Sequence, residues 1–209
     1  MNELSIEFLF DFGSPNAYLC HAVIPSLEQR LEVKFQYVPV LLGGLFKLTG
    51  NRSPMETYAG VKNKLEYLHR ETERFISRHG INEFKWNPHF PVNTLLIMRG
   101  AVAAQRESEK LYRKYVDVVF SCMWEQGLKM DEEVVVRKAL AQAGLDAEQL
   151  LRATQDPEVK DTLKANTQRA FERGAFGVPT FFLGEEMFFG KDRLRELEDE
   201  IQRLRSRLC

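Results

Sequence analysis

The sequence is short of the residues from which reactive sulfur and metal centres are built. Its three cysteines, Cys20, Cys122 and Cys209, are odd in number and far apart. No Cys-x-x-Cys pair occurs, which leaves neither a redox dithiol nor a zinc knuckle. The four histidines, His21, His69, His79 and His89, include no close pair at metal-ligand spacing. The expectation is therefore a reduced, metal-free protein. An excess of charge of one sign is also missing, with 29 basic residues against 30 acidic ones and a formal net charge of -1. That balance gives no electrostatic footing for nucleic acid or a membrane surface. No apolar run approaches the ~20 residues of a membrane span. The start, Met1-Asn2-Glu3-Leu4-Ser5, lacks a basic segment leading into an apolar stretch, so the expected location is the cytoplasm. Internal repeats and low-complexity segments are absent.

What is present reads as an ordinary globular composition, 44% hydrophobic and 28% charged over 209 residues, enough for a sizeable core. Residues 5–12 read as a buried strand, after which Ser14-Pro15 opens a helix to about Leu31. Serine can cap the orphan amides there, and proline is preset for the first helical position. Pro25 inside that helix is expected to kink it. Val33–Pro39 alternates apolar and polar residues, the mark of a second strand. Strand, helix, strand at this spacing is a βαβ unit with parallel strands.

From Leu41 to Gly174 helix starts and stops recur without a convincing strand. Ser53-Pro54-Met55-Glu56 is a capping box that opens a helix ending near Gly80, with Tyr58, Val61, Leu65, Leu68, Phe75 and Ile76 mostly on one face. Further helices are expected at 92–106, 109–126, 132–143, 147–154 and 157–173. Asp131, Asp146 and Asp156 are candidate caps, and Gly127, Gly144 and Gly174 candidate stops. The chain then returns to strand at Pro179–Leu183 and Met187–Phe189 around a short turn. A final helix is expected from about Asp192 to Leu208. Its stripe of Leu194, Leu197, Ile201, Leu204 and Leu208 suits a helix lying on a sheet better than a coiled-coil seam of two heptads. A βαβ half, a helical block and a ββα half make an α/β, thioredoxin-like fold with a large all-helical insertion. The expected units are a discontinuous thioredoxin-like domain, 1–41 and 175–209, and an inserted helical domain, 42–174.

In such a fold the residue opening the first helix is where a reactive sulfur normally sits. Here Ser14-Pro15-Asn16-Ala17 holds that place, so disulfide exchange lacks both thiols. Cys20 comes nearly two turns later and cannot replace them. The helix N-terminus still favours an anion, and the Ser14 hydroxyl can donate to a thiolate brought by a ligand. A charge-assisted bond of about 1.5–3 kcal/mol would lower a bound thiol from a pKa near ~8.5 to about 7. Ser14 as a helix cap alone is the competing reading. Pro179, directly before a strand, fits either a cis bond that frees the Val178 backbone for an extended ligand or a trans proline on an edge.

Four segments carry a resemblance: DFGSPNAYL from Asp11, TGNRSP at 49–54, NPHFPVNTLLIMR at 87–99 and GVPTFFLGEEMFFGKDRL at 177–194. Together they resemble bacterial 2-hydroxychromene-2-carboxylate isomerases, glutathione-dependent relatives of kappa-class glutathione transferases and, more distantly, of DsbA oxidoreductases. The resemblance extends over nearly the whole chain. It implies glutathione as cofactor, with Ser14 facing its sulfur, and Pro15 and Asn16 shaping the turn beneath. It places Asn51 beside the sulfur or the substrate, and the Val178 backbone, ahead of Pro179, against the cysteinyl part. Lys191 and Asp192 match the loop that holds the γ-glutamyl end, although Asp192 also suits the cap of the last helix. Lys62 and Lys64, on the helix after the capping box, are candidates to face the carboxylate of an aromatic 2-oxo acid substrate. The implied activity is isomerisation of 2-hydroxychromene-2-carboxylate to trans-o-hydroxybenzylidenepyruvate in aromatic catabolism, by a homodimer. A transferase or peroxidase using the same thiol, and a glutathione- or peptide-binding module without turnover, stand as alternatives.

Overall fold

The computed structural model describes residues 4–208. Cys209, residues 1–3 at the start of the N-terminal reading, and the side chain of Leu208 in the C-terminal stripe lie outside the described residues. Strand β1 (Ser5–Phe10) sits inside a four-stranded sheet of order β2-β1-β3-β4. It pairs in parallel with β2 (Lys34–Pro39) and antiparallel with β3 (Thr180–Leu183), which forms a hairpin with β4 (Glu186–Phe189). Parallel pairing of β1 and β2 requires a crossover, and α1 (Pro15–Leu31) supplies it. Pro25 lies inside α1, which continues past it to Leu31. Expected strands at both ends of the chain and the expected parallel pair are all present.

Aromatic packing ties this sheet to the helices. Phe8 stacks on Phe181 of β3 at 5.2 Å between ring centroids and meets Tyr37 of β2 edge-on at 4.9 Å. Phe12, just beyond β1, packs edge-on against Phe120 at 4.8 Å. Each buried ring of this kind contributes about 1.5–3 kcal/mol, and their interlocking geometry fixes where the tip of β1 ends.

Between β2 and β3 run α2 (Leu42–Thr49), α3 (Pro54–Thr57), α4 (Lys64–His79), α5 (Leu95–Glu107), α6 (Glu109–Trp124), α7 (Glu133–Gln142), α8 (Ala147–Ala153) and α9 (Pro157–Glu172). Asp146 and Asp156 cap α8 and α9 through side-chain bonds, as expected. Asp131 does not cap α7; Glu132 holds the N-cap position and makes no side-chain bond there. The single helix expected from the capping box to Gly80 is two helices. Ser53 does cap α3, but the helix stops after one turn, and Asn63 adopts a left-handed conformation at φ 67° before α4 begins. Gly60 lies in the break, and Val61, expected on the apolar face, is exposed there. Residues 58–63 carry too little apolar surface to repay continuing the helix. Helix α2 escaped the sequence reading because its two glycines oppose helix.

After β4, a short 3-10 turn at Lys191–Arg193 leads into α10 (Leu194–Leu208). Leu194, Leu197 and Ile201 are buried in the main core and Leu204 packs against it, so the stripe covers the protein's own core. Asp192 sits within the 3-10 turn rather than at a cap; Gly190 holds the capping position with a φ of 92°. Among the described residues no helix is long and apolar enough to cross a membrane.

Candidate active site

Ser14 is 5% exposed and stands at the N-cap of α1, with Pro15 in the first turn. Its Oγ accepts from the Ala17 N–H at 3.2 Å and donates to the Val178 carbonyl, also at 3.2 Å. The cap reading is thus correct, but it does not exhaust the residue, because the donor half of the hydroxyl reaches across the sheet. The Val178–Pro179 peptide is cis, and the trans alternative is excluded. Pro179 hands its carbonyl to the Gly190 N–H at 2.9 Å. The turn carrying Lys191 and Asp192 is in this way tied to the cis-proline. Among the described residues no acceptor meets the Val178 N–H, so that backbone keeps a donor for an extended ligand.

Asn51 reaches the same loop from the opposite side. Its Nδ2 donates to the Phe176 carbonyl at 3.0 Å, and its Oδ1 accepts from Arg52 N–H at 2.8 Å. Ser14, Asn51, Val178 and the Lys191–Asp192 turn are therefore gathered by direct bonds around one loop. Asn16 follows Pro15 in the first turn of α1 and is half-buried.

Two expectations about lysines change. Lys191 is 4% exposed, and its Nζ lies 2.6 Å from Asp192 Oδ1 and 5.3 Å from the centre of the Phe75 ring. A cation so deep does not reach out to a ligand; it holds the carboxylate. Asp192 is exposed, and among the described residues its second oxygen has no partner. Lys62 lies in the turn before α4, not on the helix, and is exposed. Lys64 opens α4 with its ammonium over the rings of Tyr58 at 5.2 Å and Tyr67 at 5.8 Å. Neither lysine is bonded to the Ser14–Val178 group among the described residues.

Cys20, on α1, is fully buried, and burial pushes its thiol well above the usual range. Cys122 is pushed up to about 11 for the same reason. Neither offers a thiolate at neutral pH. The residue that sequence reading missed is Asp11, buried at the tip of β1 with its carboxylate pointed at backbone amides. The available signal was a charge closing a mostly apolar strand, Ile6-Glu7-Phe8-Leu9-Phe10, where a solvated side chain would be the usual finding.

The geometry matches a known lineage. The sequence profile of the DSBA-like thioredoxin domain matches residues 5–202. A 2-hydroxychromene-2-carboxylate isomerase of Pseudomonas putida is 30% identical over 199 residues, 95% of each chain. The chain belongs to the 2-hydroxychromene-2-carboxylate isomerase family, within the DSBA-like thioredoxin domains. Human glutathione S-transferase kappa 1 is a more distant relative, 26% identical with 92% of this chain and 88% of that one covered. A solved structure of a selenomethionine-labelled isomerase of the same name superposes with a TM-score of 0.82 at 29% identity, covering 96% of both chains.

Glutathione fits the residues present in this family member. The open Val178 N–H and its neighbouring carbonyl offer an extended peptide a donor and an acceptor. The second oxygen of Asp192 offers an ammonium group a partner. The Val178 carbonyl is bonded by Ser14 at the N-terminus of α1, an end that favours a thiolate.

Proposed function

We propose that this family member is a glutathione-dependent cis–trans isomerase that interconverts 2-hydroxychromene-2-carboxylate and trans-o-hydroxybenzylidenepyruvate. The observation that carries the proposal is the bond from Ser14 Oγ to the Val178 carbonyl, which joins a hydroxyl at a helix N-terminus to a cis-proline backbone where no cysteine is present. The chemistry supplied by bound glutathione is reversible thiolate addition to the conjugated chain, which turns a double bond into a rotatable single bond. The protein's part is to hold that sulfur charged and in place. A cysteinyl N–H on the Val178 carbonyl would release the Ser14 hydroxyl, whose proton then turns to the sulfur. That exchange loses no hydrogen bond, because the carbonyl gains a new donor as the old one leaves. Ser14 and the α1 amides together favour the thiolate over the thiol, and Asp192 anchors the γ-glutamyl ammonium. Asn51, on the far side of the loop, borders the place where the electrophile must approach.

These contributions are positional and electrostatic. Purified protein incubated with hydroxychromene carboxylate, with and without glutathione, tests the reading directly: isomerisation is expected only with the thiol present. Turnover without glutathione, or none with it, would refute it. The kinship to kappa-class transferases at 26% identity favours a second reading, transfer of the same activated thiol to another electrophile. Conjugate formation with a model aromatic electrophile, in the absence of isomerisation, would select it.

A further inference from the structure

Asp11 is 1% exposed, and its two carboxylate oxygens are spent on segments that are separate in sequence. Oδ1 accepts from the Gly13 N–H at 2.8 Å and Oδ2 from the Leu42 N–H at 2.8 Å. The Thr94 side chain packs beside Gly13 and acts on the carboxyl as a further donor. The Asp11 backbone carbonyl accepts from the Ser14 N–H at 3.0 Å. Among the described residues Asp11 has no ion-pair partner. Burial, the largest effect, leaves its carboxyl above the ordinary carboxylate range, against the downward pull of the Gly13 and Leu42 amides and the Thr94 side chain. An isolated buried carboxylate is among the costliest groups a core can hold unless donors converge on it. The donors here come from three places: the turn that delivers Ser14, the first residue of α2, and the residue before α5.

Each of those places leads to the site. A side chain at Gly13 would crowd its neighbours, since a Cβ would sit 3.1 Å from Thr94 Cγ2 and 3.3 Å from Asp11 Oδ1. Asp11, Gly13 and Thr94 therefore form one close-packed knot directly behind Ser14. Helix α2 begins at Leu42 and is capped after Thr49 by Gly50, whose φ of 67° turns the chain into Asn51. A short helix is stiff, so where its first amide is held decides where Asn51 arrives. A turn alone would need only the Gly13 bond, which asparagine or serine could make. A carboxylate is required where three donors meet and no acceptor is available, because it has lone pairs for all of them and no proton to misplace.

We propose that Asp11 is a positioning residue of the reaction, a buried carboxylate that holds Ser14 and Asn51 at a set separation by tying the β1 tip, the start of α2 and the start of α5 to one point. This rests on the reading of Ser14 and Asn51 given above. Asp11→Asn keeps the shape but turns one oxygen into a donor facing an N–H. In the ligand-free protein, hydrogen exchange over residues 13–14 and 42–51 is expected to quicken about tenfold while α6 is unchanged. Bound glutathione is expected to titrate about one pH unit higher, with KM for the substrate raised as kcat falls.

Leu42→Pro removes the α2 bond and leaves the Gly13 bond in place, at the cost of a half-buried side chain packed on the second core cluster. The first helical position accepts proline, and Leu41 already has the extended conformation, φ -92° and ψ 109°, that a residue before proline needs. Its faster exchange should be confined to 42–51, with the thiol titrating as in wild type. If Asp11→Asn does not fold, Leu42→Pro decides: exchange over 42–51 and a substrate KM both at wild-type values overturn the proposal. A downward shift of the thiol titration in Asp11→Asn would mean that Asp11 acts only as a nearby charge, and would also overturn it. A wild type that binds glutathione beside an Asp11→Asn protein that titrates and exchanges identically overturns this proposal alone. A wild type that binds none overturns both readings.

Discussion

Two loops of this protein are built from the same parts and put to opposite uses. Each contains a cis X-Pro peptide, Phe90-Pro91 in one and Val178-Pro179 in the other. Each is anchored by an asparagine whose Nδ2 donates to backbone carbonyl oxygen, two acceptors for one and a single acceptor for the other. Asn87, 5% exposed, holds the carbonyls of Met123 at 3.0 Å and Leu128 at 2.9 Å, and takes the His89 N–H on its Oδ1 at 2.8 Å. Phe90 then packs on Trp124, whose indole N–H bonds the Phe12 carbonyl at 2.8 Å. Every polar group of the Asn87 side chain is used, and the loop is closed on the protein. Asn51 is exposed and holds one carbonyl, that of Phe176, and the loop it grips leaves the Val178 amide open. The lesson is that burial, not residue type, decides whether such a clamp serves stability or leaves a surface for a ligand.

Four substitutions would break or sharpen this contrast. Asn87→Ala should have the largest effect, about 2–4 kcal/mol of stability, because it strands two buried carbonyls. Chemical denaturation measures it; a loss under about 1 kcal/mol would show that the closed loop is not carrying weight. Glutathione affinity of the folded fraction should be unchanged.

Asp192→Asn should weaken glutathione by about 1.5 kcal/mol, roughly tenfold. The low end of the range applies because Lys191 already occupies one oxygen. Calorimetry with glutathione and with cysteinylglycine separates two causes. Selective loss of glutathione marks the ligand contact, whereas an equal loss for both would trace the effect to the buried Lys191 stripped of its anion.

Ser14→Ala should raise the pKa of the bound thiol by about one unit, from about 7 to about 8. Activity rises with pH as the thiol ionises, so the mutant's profile should move to higher pH by the same amount. Thiolate absorbance checks the shift, and an unchanged titration would reduce Ser14 to a helix cap. Asn51→Ala should change stability by less than about 0.5 kcal/mol while raising KM several-fold. Should it instead lower the denaturation midpoint as Asn87→Ala does, the two loops would not differ in kind.

Most of the scaffold was legible in the sequence because its signals are local. Ser14-Pro15 marked the start of α1, and Asp146 and Asp156 marked α8 and α9. The thioredoxin-like order of strands followed from where the strand patterns fell. The helix expected through residues 58–63 failed because a capping box reports where a helix starts and says nothing about where it stops. Ser14 and the Val178 backbone followed from the fold, whereas Asn51, Lys62 and Lys64 came from family resemblance, and neither lysine is bonded to that group among the described residues. Lys191 shows the limit most clearly. The resemblance set Lys191 in the loop for the γ-glutamyl end, and only packing against Phe75 and the core under α1 shows that its ammonium is buried.

The sequence by itself determined the elements, their order, and the absence of a thiol at the mouth of α1. Caps, proline at the first helical turn and apolar periodicity act within a few residues, so they survive without tertiary context. The tertiary structure alone decided that the Ser14 hydroxyl meets a carbonyl 164 residues away, that Asp11 collects donors from three segments, and that the exposed Asp192 is held by a buried Lys191. Those outcomes depend on how sheet and helices close on one another, since a hydrogen bond of about 3 Å is set by the placement of whole elements rather than by any neighbour in the chain.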